Sequence, residues 1–187
     1  MTDLIRLAKR LQELADEKGW RLCFIGGIAL QRWGEPRVTV DVDASLLTGA
    51  EPDVQMVRDL LDAFKPRVEG ALEFALTNRV VLLTDSDGIG IDVALACFPY
   101  EEDAFRRSSL FEFLPDVALR TVSAEDLVIM KAIAGRDKDW SDIKGVVVRQ
   151  GARLDWPIID QAVEDLAGLL ERPEVIERLR AIRSEHA

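Results

Sequence analysis

The sequence predicts an α/β (α+β) protein in which a mixed β-sheet comes first and a helical half follows. Up to about residue 122, short apolar runs typical of strands alternate with segments of helical period. Beyond residue 122 the apolar residues recur only with helical spacing. The chain has 187 residues, 48% of them hydrophobic, which suffices for a buried core. We therefore expect an α/β core over residues 1–122 and a helical C-terminal region packed on it over residues 123–187.

The first elements predicted are a helix, a strand and a short helix. Leucines with helical spacing mark the first helix: Leu4, Leu7, Leu11 and Leu14. Gly19 predicts its end, because glycine readily takes the left-handed conformation that closes a helix. The run RLCFI predicts a strand that leads into Gly26 and Gly27, and IALQRW predicts a brief helix ending at Gly34.

The second strand is predicted over VTVDVDASLL and carries two aspartates at a spacing of two residues. The residues expected on its opposite face are Val38, Val40, Val42 and Ala44. A helix is predicted over residues 52–64, with Pro52 in its first turn and Lys65-Pro66 ending it.

Two β-rich runs then flank the turn sequence Asp87-Gly88, which predicts a hairpin. The second run carries Asp92 as an isolated acid between Ile91 and Val93. Residues 116–122 predict one more strand. Ser123 and Asp126 then have the spacing of a capping box that opens the helix AEDLVIMKAIAG, and three further helices follow.

Three carboxylates on two predicted strands form the main candidate site. Asp41 and Asp43 lie on one face of their strand, with α-carbons about 7 Å apart. Two like charges on one small patch need a compensating charge. If the strand of Asp92 is a neighbour in the sheet, all three acids converge on a spot that suits magnesium ions shared with substrate phosphates.

Gly26 and Gly27 supply a complementary feature. Glycines between a strand and a helix allow a close approach of the backbone, and the N–H groups at the start of a helix attract anionic phosphate. Thr39 shares the face of Asp41 and Asp43 and is expected at the site, and Arg37 is a candidate phosphate contact.

Charge and composition exclude several classes of function. The formal net charge of −10 argues against a general nucleic-acid-binding surface. The single histidine lies one residue from the end of the sequence, so a carboxylate is the expected acid or base. No apolar run is long enough to cross a membrane, and the scattered charges at the start do not fit a secretory signal. The sequence thus predicts a cytoplasmic protein with no membrane association.

Gly26-Gly27, thirteen intervening residues, Asp41-Val42-Asp43 and a distant Ile91-Asp92-Val93 together resemble the signature of the nucleotidyltransferase superfamily. The core of that superfamily is the polymerase-β-like palm. The later segment SAEDLVIMKAIAGRDKDWSDI is similar to a region of AbiEii-type and related minimal nucleotidyltransferases. The resemblance covers roughly residues 22–143.

The resemblance implies metal-dependent transfer of a nucleoside monophosphate from a nucleoside triphosphate (NTP) to an acceptor hydroxyl. Asp41, Asp43 and Asp92 would be the catalytic residues and the ligands of Mg²⁺ or Mn²⁺. The nucleotide-binding residues that it implies, together with the candidates above, are Gly26, Gly27, Arg37, Thr39 and Lys131. It also suggests the toxin half of a toxin and antitoxin pair, with tRNA as acceptor and an antitoxin protein as partner.

Other interpretations stay open at this point. One is a small-molecule nucleotidyltransferase that acts on an aminoglycoside or lincosamide hydroxyl. A cationic aminoglycoside suits the acidic chain better as an acceptor than tRNA does. A non-catalytic nucleotide-binding or partner-binding module of the same fold is a third, although the intact aspartates speak against it. Asp137, Asp139 and Asp142 are interpreted either as helix caps and solvated charges or as functional groups.

Overall fold

The computed structural model describes residues 1–50 and 54–186, and the chain divides into two compact units. The first unit consists of Met1–Ile28 and Val38–Val122. The second consists of Ala29–Arg37 and the segment that begins at Ser123. The short stretch Ala29–Arg37 thus groups with the C-terminal helices, whereas a single boundary at residue 122 assigns it to the core.

The first unit is built on a seven-stranded mixed sheet in the order β3-β4-β5-β2-β1-β7-β6. The strands are β1 (Leu22–Phe24), β2 (Asp41–Leu47), β3 (Lys65–Pro66), β4 (Val80–Thr84), β5 (Gly90–Ala96), β6 (Ser109–Leu114) and β7 (Val117–Thr121). Its helices are α1 (Thr2–Glu17), the start of α2 (Gly26–Trp33), α3 (Val54–Ala63), α4 (Ala71–Asn78) and α5 (Pro99–Arg107). β2 pairs with β5, and β1 with β7, in parallel, and the other pairs are antiparallel. The predicted mixed sheet is therefore confirmed.

The core of the first unit lies on one face of this sheet. Alternate residues of the central strands are buried there: Val42, Ala44, Leu46, Ile91, Val93 and Leu95. The apolar stripe of α1 belongs to the same hydrophobic cluster, as its leucine spacing predicted. The intervening strand residues, among them the three aspartates, lie on the other, partly exposed face. The alternation typical of a half-buried strand thus sets which face carries the polar groups.

The second strand is shorter than predicted. Its pairing with β5 begins at Asp41, opposite Gly90, so the regular strand does not extend back to residue 38. Val38 and Val40 precede the strand and are 81% and 73% exposed, so the prediction that they lie on its face opposite the aspartates is wrong. Helix α3 is described from Val54 onward, and its predicted start at Pro52 lies outside the described residues.

The hairpin predicted at Asp87-Gly88 is confirmed by the antiparallel pairing of β4 with β5. The Asp85 carboxylate stabilises the turn, since its Oδ1 accepts hydrogen bonds from the N–H groups of Asp87 and Ile89 at 3.0 and 2.8 Å. Gly88 takes a positive φ of 83°, which glycine adopts without strain. Four elements of this unit were not predicted: α4, α5, β3 and β6.

The second unit is helical. After the end of α2 it contains α6 (Ala124–Ala134), α7 (Asp137–Gln150), a 3-10 turn (Gly151–Arg153), α8 (Trp156–Leu169) and α9 (Glu174–His186). The Ser123 hydroxyl accepts a hydrogen bond from the N–H of Asp126 at 3.1 Å, which confirms the predicted helix start. Within the described ranges, no helix is both long and apolar enough to span a membrane.

Candidate active site

The three predicted carboxylates lie on one face of two neighbouring strands. In the parallel register of β2 and β5, Asp43 is the partner of Asp92, and Asp41 is the partner of Gly90. Register partners on adjacent strands are about 5 Å apart and point to the same side of the sheet. We call Asp41, Asp43 and Asp92 the aspartate row. The strands are therefore neighbours, which was the condition for the acids to converge.

The first turn of α2 lies directly against the aspartate row. The N–H of Ile25 donates to the carbonyl oxygen of Asp43 at 3.0 Å, which fixes the end of β1 beside β2. Gly26 begins the helix with a φ of +52°, and a Cβ at this position would overlap the Asp43 carboxylate. Only glycine meets both requirements. The helix N-terminus, with its free N–H groups, is thereby held next to the Asp43 carboxylate.

Thr39 occupies the space beside the second glycine. A Cβ at Gly27 would overlap the Thr39 hydroxyl and its Cβ. The same hydroxyl donates to Oδ1 of Asp41 at 3.2 Å. Thr39 therefore connects the glycine turn with the first aspartate and orients the Asp41 carboxylate.

Arg67 is a component of this face that the sequence analysis missed. Its guanidinium forms an ion pair with Oδ1 of Asp92. Burial raises the pKa of Asp92, the Arg67 charge lowers it and the Asp41 charge raises it, and the net result is a pKa above the ordinary value. Arg67 follows a Lys-Pro pair that predicts only a helix end, so no signal in the local sequence indicates it.

The donor set of the aspartate row suits a hard divalent cation, because carboxylate oxygens are the ligands that Mg²⁺ and Mn²⁺ prefer. No group of three His, Cys, Asp or Glu side chains among residues 1–50 and 54–186 is already arranged to hold a metal ion. Asp92 instead has the Arg67 guanidinium as its counter-ion. The chemistry of the residues thus fits a cation, and ligation by all three aspartates requires their side chains to rearrange.

The predicted residues Lys131 and Arg37 lie in a charged cluster within the second unit. Lys131 is 5% exposed, and its Nζ donates to Asp139 at 3.2 Å and to Asp142 at 2.6 Å. Arg37 donates from Nε and Nη2 to the two oxygens of Asp142 at 3.0 and 3.1 Å. Together with Arg136, which pairs with Asp139, these residues form what we call the Lys131 cluster. Its two carboxylates are shared among three basic side chains.

The contacts in the Lys131 cluster test the structural interpretation of the nearby acids. Burial raises the pKa of Asp139, but hydrogen bonds from Arg136 and the charge of Lys131 outweigh it and hold that pKa below the ordinary value. Asp139 and Asp142 are buried, so neither is a solvated charge. Asp139 is nevertheless a helix cap, as the structural interpretation expects, because its Oδ2 accepts a hydrogen bond from the Arg136 N–H at 3.3 Å. The Asp137 side chain is fully exposed, as that interpretation expects.

A carboxylate pair at spacing two, a third acid on the adjoining strand and a glycine turn at a helix start define the nucleotidyltransferase class, as the resemblance implied. Over residues 2–181 the chain matches the family described as "Nucleotidyltransferase of unknown function (DUF6036)", and it belongs to that family. The protein is accordingly an enzyme of the nucleotidyltransferase class. No curated protein matches the chain.

Solved structures with a similar fold include an antigenic nucleotidyltransferase-like protein from Paracoccidioides brasiliensis. It has 18% sequence identity and a TM-score of 0.52, over 97% of this chain and 94% of that chain. ANT(2'')-Ia in complex with adenylyl-2''-tobramycin has 19% identity and a TM-score of 0.49 over 100% of both chains. A CCA-adding enzyme in complex with CTP has 12% identity and a TM-score of 0.39, over 97% of this chain and 51% of that chain. The first of these similarities shows the fold alone.

Proposed function

We propose that the protein transfers a nucleoside monophosphate from an NTP to an acceptor hydroxyl with the help of Mg²⁺ or Mn²⁺. The observation that carries this proposal is the aspartate row beside the first turn of α2. It combines hard ligands for a cation with N–H groups for phosphate, which are the two needs of an NTP substrate. Both the NTP and the cation are abundant in the cytoplasm, where we propose that the enzyme acts.

In the proposed reaction the acceptor oxygen forms a bond to the α-phosphorus, and the bond between that phosphorus and the bridging oxygen of the β-phosphate breaks. Pyrophosphate leaves. Asp41 and Asp43 would hold a divalent cation, which would supply positive charge to neutralise the phosphate. The N–H groups around Gly26 and Gly27 would hold phosphate oxygens.

Asp92 is our candidate for both a cation ligand and the group that accepts the hydroxyl proton. Asp92 lies beside Asp43 in the sheet, so its carboxylate can accept the proton of a hydroxyl bound at the aspartate row. Thr39 orients Asp41 through the hydrogen bond at 3.2 Å and can offer its oxygen to the substrate phosphate. The chain therefore needs no histidine for this chemistry.

For the second unit we propose that Arg37 binds phosphate oxygens and that Lys131 acts mainly through Asp142. The Arg37 side chain is 39% exposed, whereas Lys131 and Asp142 each have 6% of their side chains exposed. The Asp142 carboxylate accepts hydrogen bonds from both Lys131 and Arg37, and it therefore fixes the direction in which the Arg37 guanidinium points. The direct phosphate contact predicted for Lys131 stays a prediction.

The acceptor has two candidates, and charge favours one of them. A cationic small-molecule hydroxyl, of the aminoglycoside type, is attracted by a chain of net charge −10, whereas the tRNA phosphates are repelled. The AbiEii-type alternative, a toxin that modifies tRNA and pairs with an antitoxin protein, rests on the resemblance of residues 123–143.

Magnesium-dependent transfer of α-³²P label tests the proposal. Each of the four NTPs is incubated with the enzyme and either total tRNA or a panel of aminoglycosides and lincosamides. We expect labelled product with Mg²⁺, none with EDTA, and none from Asp43→Ala, which removes a ligand while it relieves charge repulsion. Asp62→Ala, which removes an exposed acid on α3, is the matched control and should retain activity. Equal labelling by Asp43→Ala and the wild type would show that the site is wrongly assigned.

A further inference from the structure

Arg67 lies in the same row of the sheet as the carboxylates it faces. Its backbone N–H donates to the carbonyl of Leu82 at 2.9 Å, which continues the β3-β4 ladder by one residue. Leu82 is the register partner of Asp92, and Asp92 is the partner of Asp43. Arg67, Leu82, Asp92 and Asp43 therefore follow one another across four adjacent strands, and their side chains share one face.

Gly90 leaves the room that the Arg67 guanidinium uses. A Cβ on Gly90 would lie 3.2 Å from Nη1 of Arg67 and 3.8 Å from the Cβ of Asp41. The guanidinium thus extends over Gly90, whose register partner is Asp41, while Nη2 pairs with Asp92. Two separate contacts place one positive charge where the acids of β2 and β5 converge.

A divalent cation that binds Asp92 meets this charge as a competitor. The ion pair occupies Oδ1 of Asp92, and a guanidinium is repelled by a dication at the same carboxylate. The two side chains are 36% and 35% exposed, so the pair is only partly shielded from water and can separate at modest cost. Arg67 is long and flexible enough to leave Asp92 without a change in the sheet.

We propose that Arg67 is a built-in counter-ion that holds Asp92 in the metal-free enzyme and must leave it when the divalent cation binds. This inference rests on the proposed function of the aspartate row. It assigns Arg67 a positioning role rather than direct contact with the reacting atoms. The consequence is that Arg67 lowers the intrinsic affinity of the enzyme for the cation.

The proposal is tested by titrating Mn²⁺ in the absence of nucleotide. Binding is measured as the loss of the electron paramagnetic resonance signal of free Mn²⁺. We expect Arg67→Gln to lower the Kd for Mn²⁺ about three- to tenfold, because it removes both the competing ion pair and one repelling charge. Lys65→Gln removes an equal exposed charge from the same face of the same strand, and it should change the Kd less than about twofold. In an Asp92→Asn background, the effect of Arg67→Gln should shrink to that of Lys65→Gln.

The outcomes separate this inference from the proposed function. Suppose that Asp43→Ala loses Mn²⁺ affinity. If the Kd of Arg67→Gln is then no lower than that of the wild type, or no lower than that of Lys65→Gln, the counter-ion role is overturned and the metal site stands. If Mn²⁺ binding is insensitive to Asp43→Ala, the proposed metal site is wrong and the role of Arg67 falls with it. Arg67→Lys, which keeps the charge but not the planar guanidinium, should bind Mn²⁺ with a Kd between those of the wild type and Arg67→Gln.

Discussion

Gly26 and Asp43 are packed so closely that no side chain fits between the first turn of α2 and the Asp43 carboxylate. The contact joins the two most informative motifs of the sequence, the glycine pair and the aspartate pair. It also explains their spacing, since the chain must leave α2, traverse residues 34–40 and return to the end of β1. The glycine therefore has a steric role at the site as well as a conformational one.

Gly26→Ala should impair both stability and activity. Its φ of +52° makes a side chain cost about 1–2 kcal/mol, and the overlap with Asp43 adds to that cost. Displacement of the Asp43 carboxylate should lower kcat/KM about 100-fold or more. Chemical denaturation and the labelling assay measure the two effects.

Gly19→Ala is the matched control for Gly26→Ala. Gly19 has a similar φ of +68°, and apart from its two chain neighbours none of the described residues has an atom within 4 Å of a Cβ built there. It should lose stability from backbone strain alone and keep full activity. Equal activity losses in the two variants would refute a steric role for Gly26.

Asp92→Asn should abolish transfer without lowering stability at neutral pH. The pKa of Asp92 is raised above 3.8, so the folded state binds its proton more tightly than the unfolded state does. The free energy of unfolding therefore falls as the pH rises from below 3.8 through the raised pKa, and the ionised carboxylate is a net cost. Because the group is partly exposed, this cost is at most about 1 kcal/mol.

Denaturant unfolding of the wild type and Asp92→Asn between pH 3 and pH 7 measures that effect. We expect the variant to gain stability relative to the wild type as the pH increases. A variant that is clearly less stable at pH 7 would mean that the Arg67 ion pair outweighs the burial of Asp92.

Much of the fold could be predicted from the sequence because its signals are local. The leucine spacing of α1, the Asp87-Gly88 turn and the Ser123 cap each depend on a few neighbouring residues. Helices α4 and α5 were missed for different reasons. The eight residues of α4 have only a weak apolar stripe. Helix α5 is strongly polar and buries only Ala104, so it offers few apolar residues from which a helix could be predicted.

The site was predictable where it follows strand alternation and not where it depends on register. Period two is enough to place Asp41 and Asp43 together, and the chain order favours Asp92 beside them. Arg67 reaches Asp92 only because β3 and β4 pair in one register, which the sequence does not encode locally. In the same way, the burial of Lys131 follows from the packing of α6 and α7 within the second unit and has no sequence motif of its own.

A comparison of Lys131→Met with Arg37→Gln should distinguish a structural role in the Lys131 cluster from direct contact with the substrate phosphate. Lys131→Met leaves Asp139 and Asp142 buried with one partner fewer each, so it should cost about 3 kcal/mol of stability. Arg37→Gln removes a partly exposed side chain while Asp142 keeps Lys131, so it should cost less than about 1 kcal/mol.

The NTP affinity of the two variants completes that comparison. If Arg37 binds phosphate, Arg37→Gln should raise the KM for the NTP about tenfold or more, as expected for the loss of a charge-assisted contact. Arg37→Lys should restore part of it. An unchanged KM in Arg37→Gln would leave Arg37 with a structural role only.

The acid sensitivity of the second unit should depend on Asp139. Its pKa is held below 3.8, so the unfolded state binds the proton more tightly, and the stabilisation is fully present above pH 3.8. It is lost as the pH falls through the lowered pKa of the folded state. Asp139→Asn should therefore be less stable than the wild type at pH 7, and the difference should shrink as the pH falls below 3.8.

Denaturation curves from pH 2 to pH 7 measure this difference in stability. Asp137→Asn is the control, since the exposed Asp137 side chain should give no comparable difference. A constant gap between Asp139→Asn and the wild type at every pH would show that the carboxylate charge of Asp139 contributes nothing to stability.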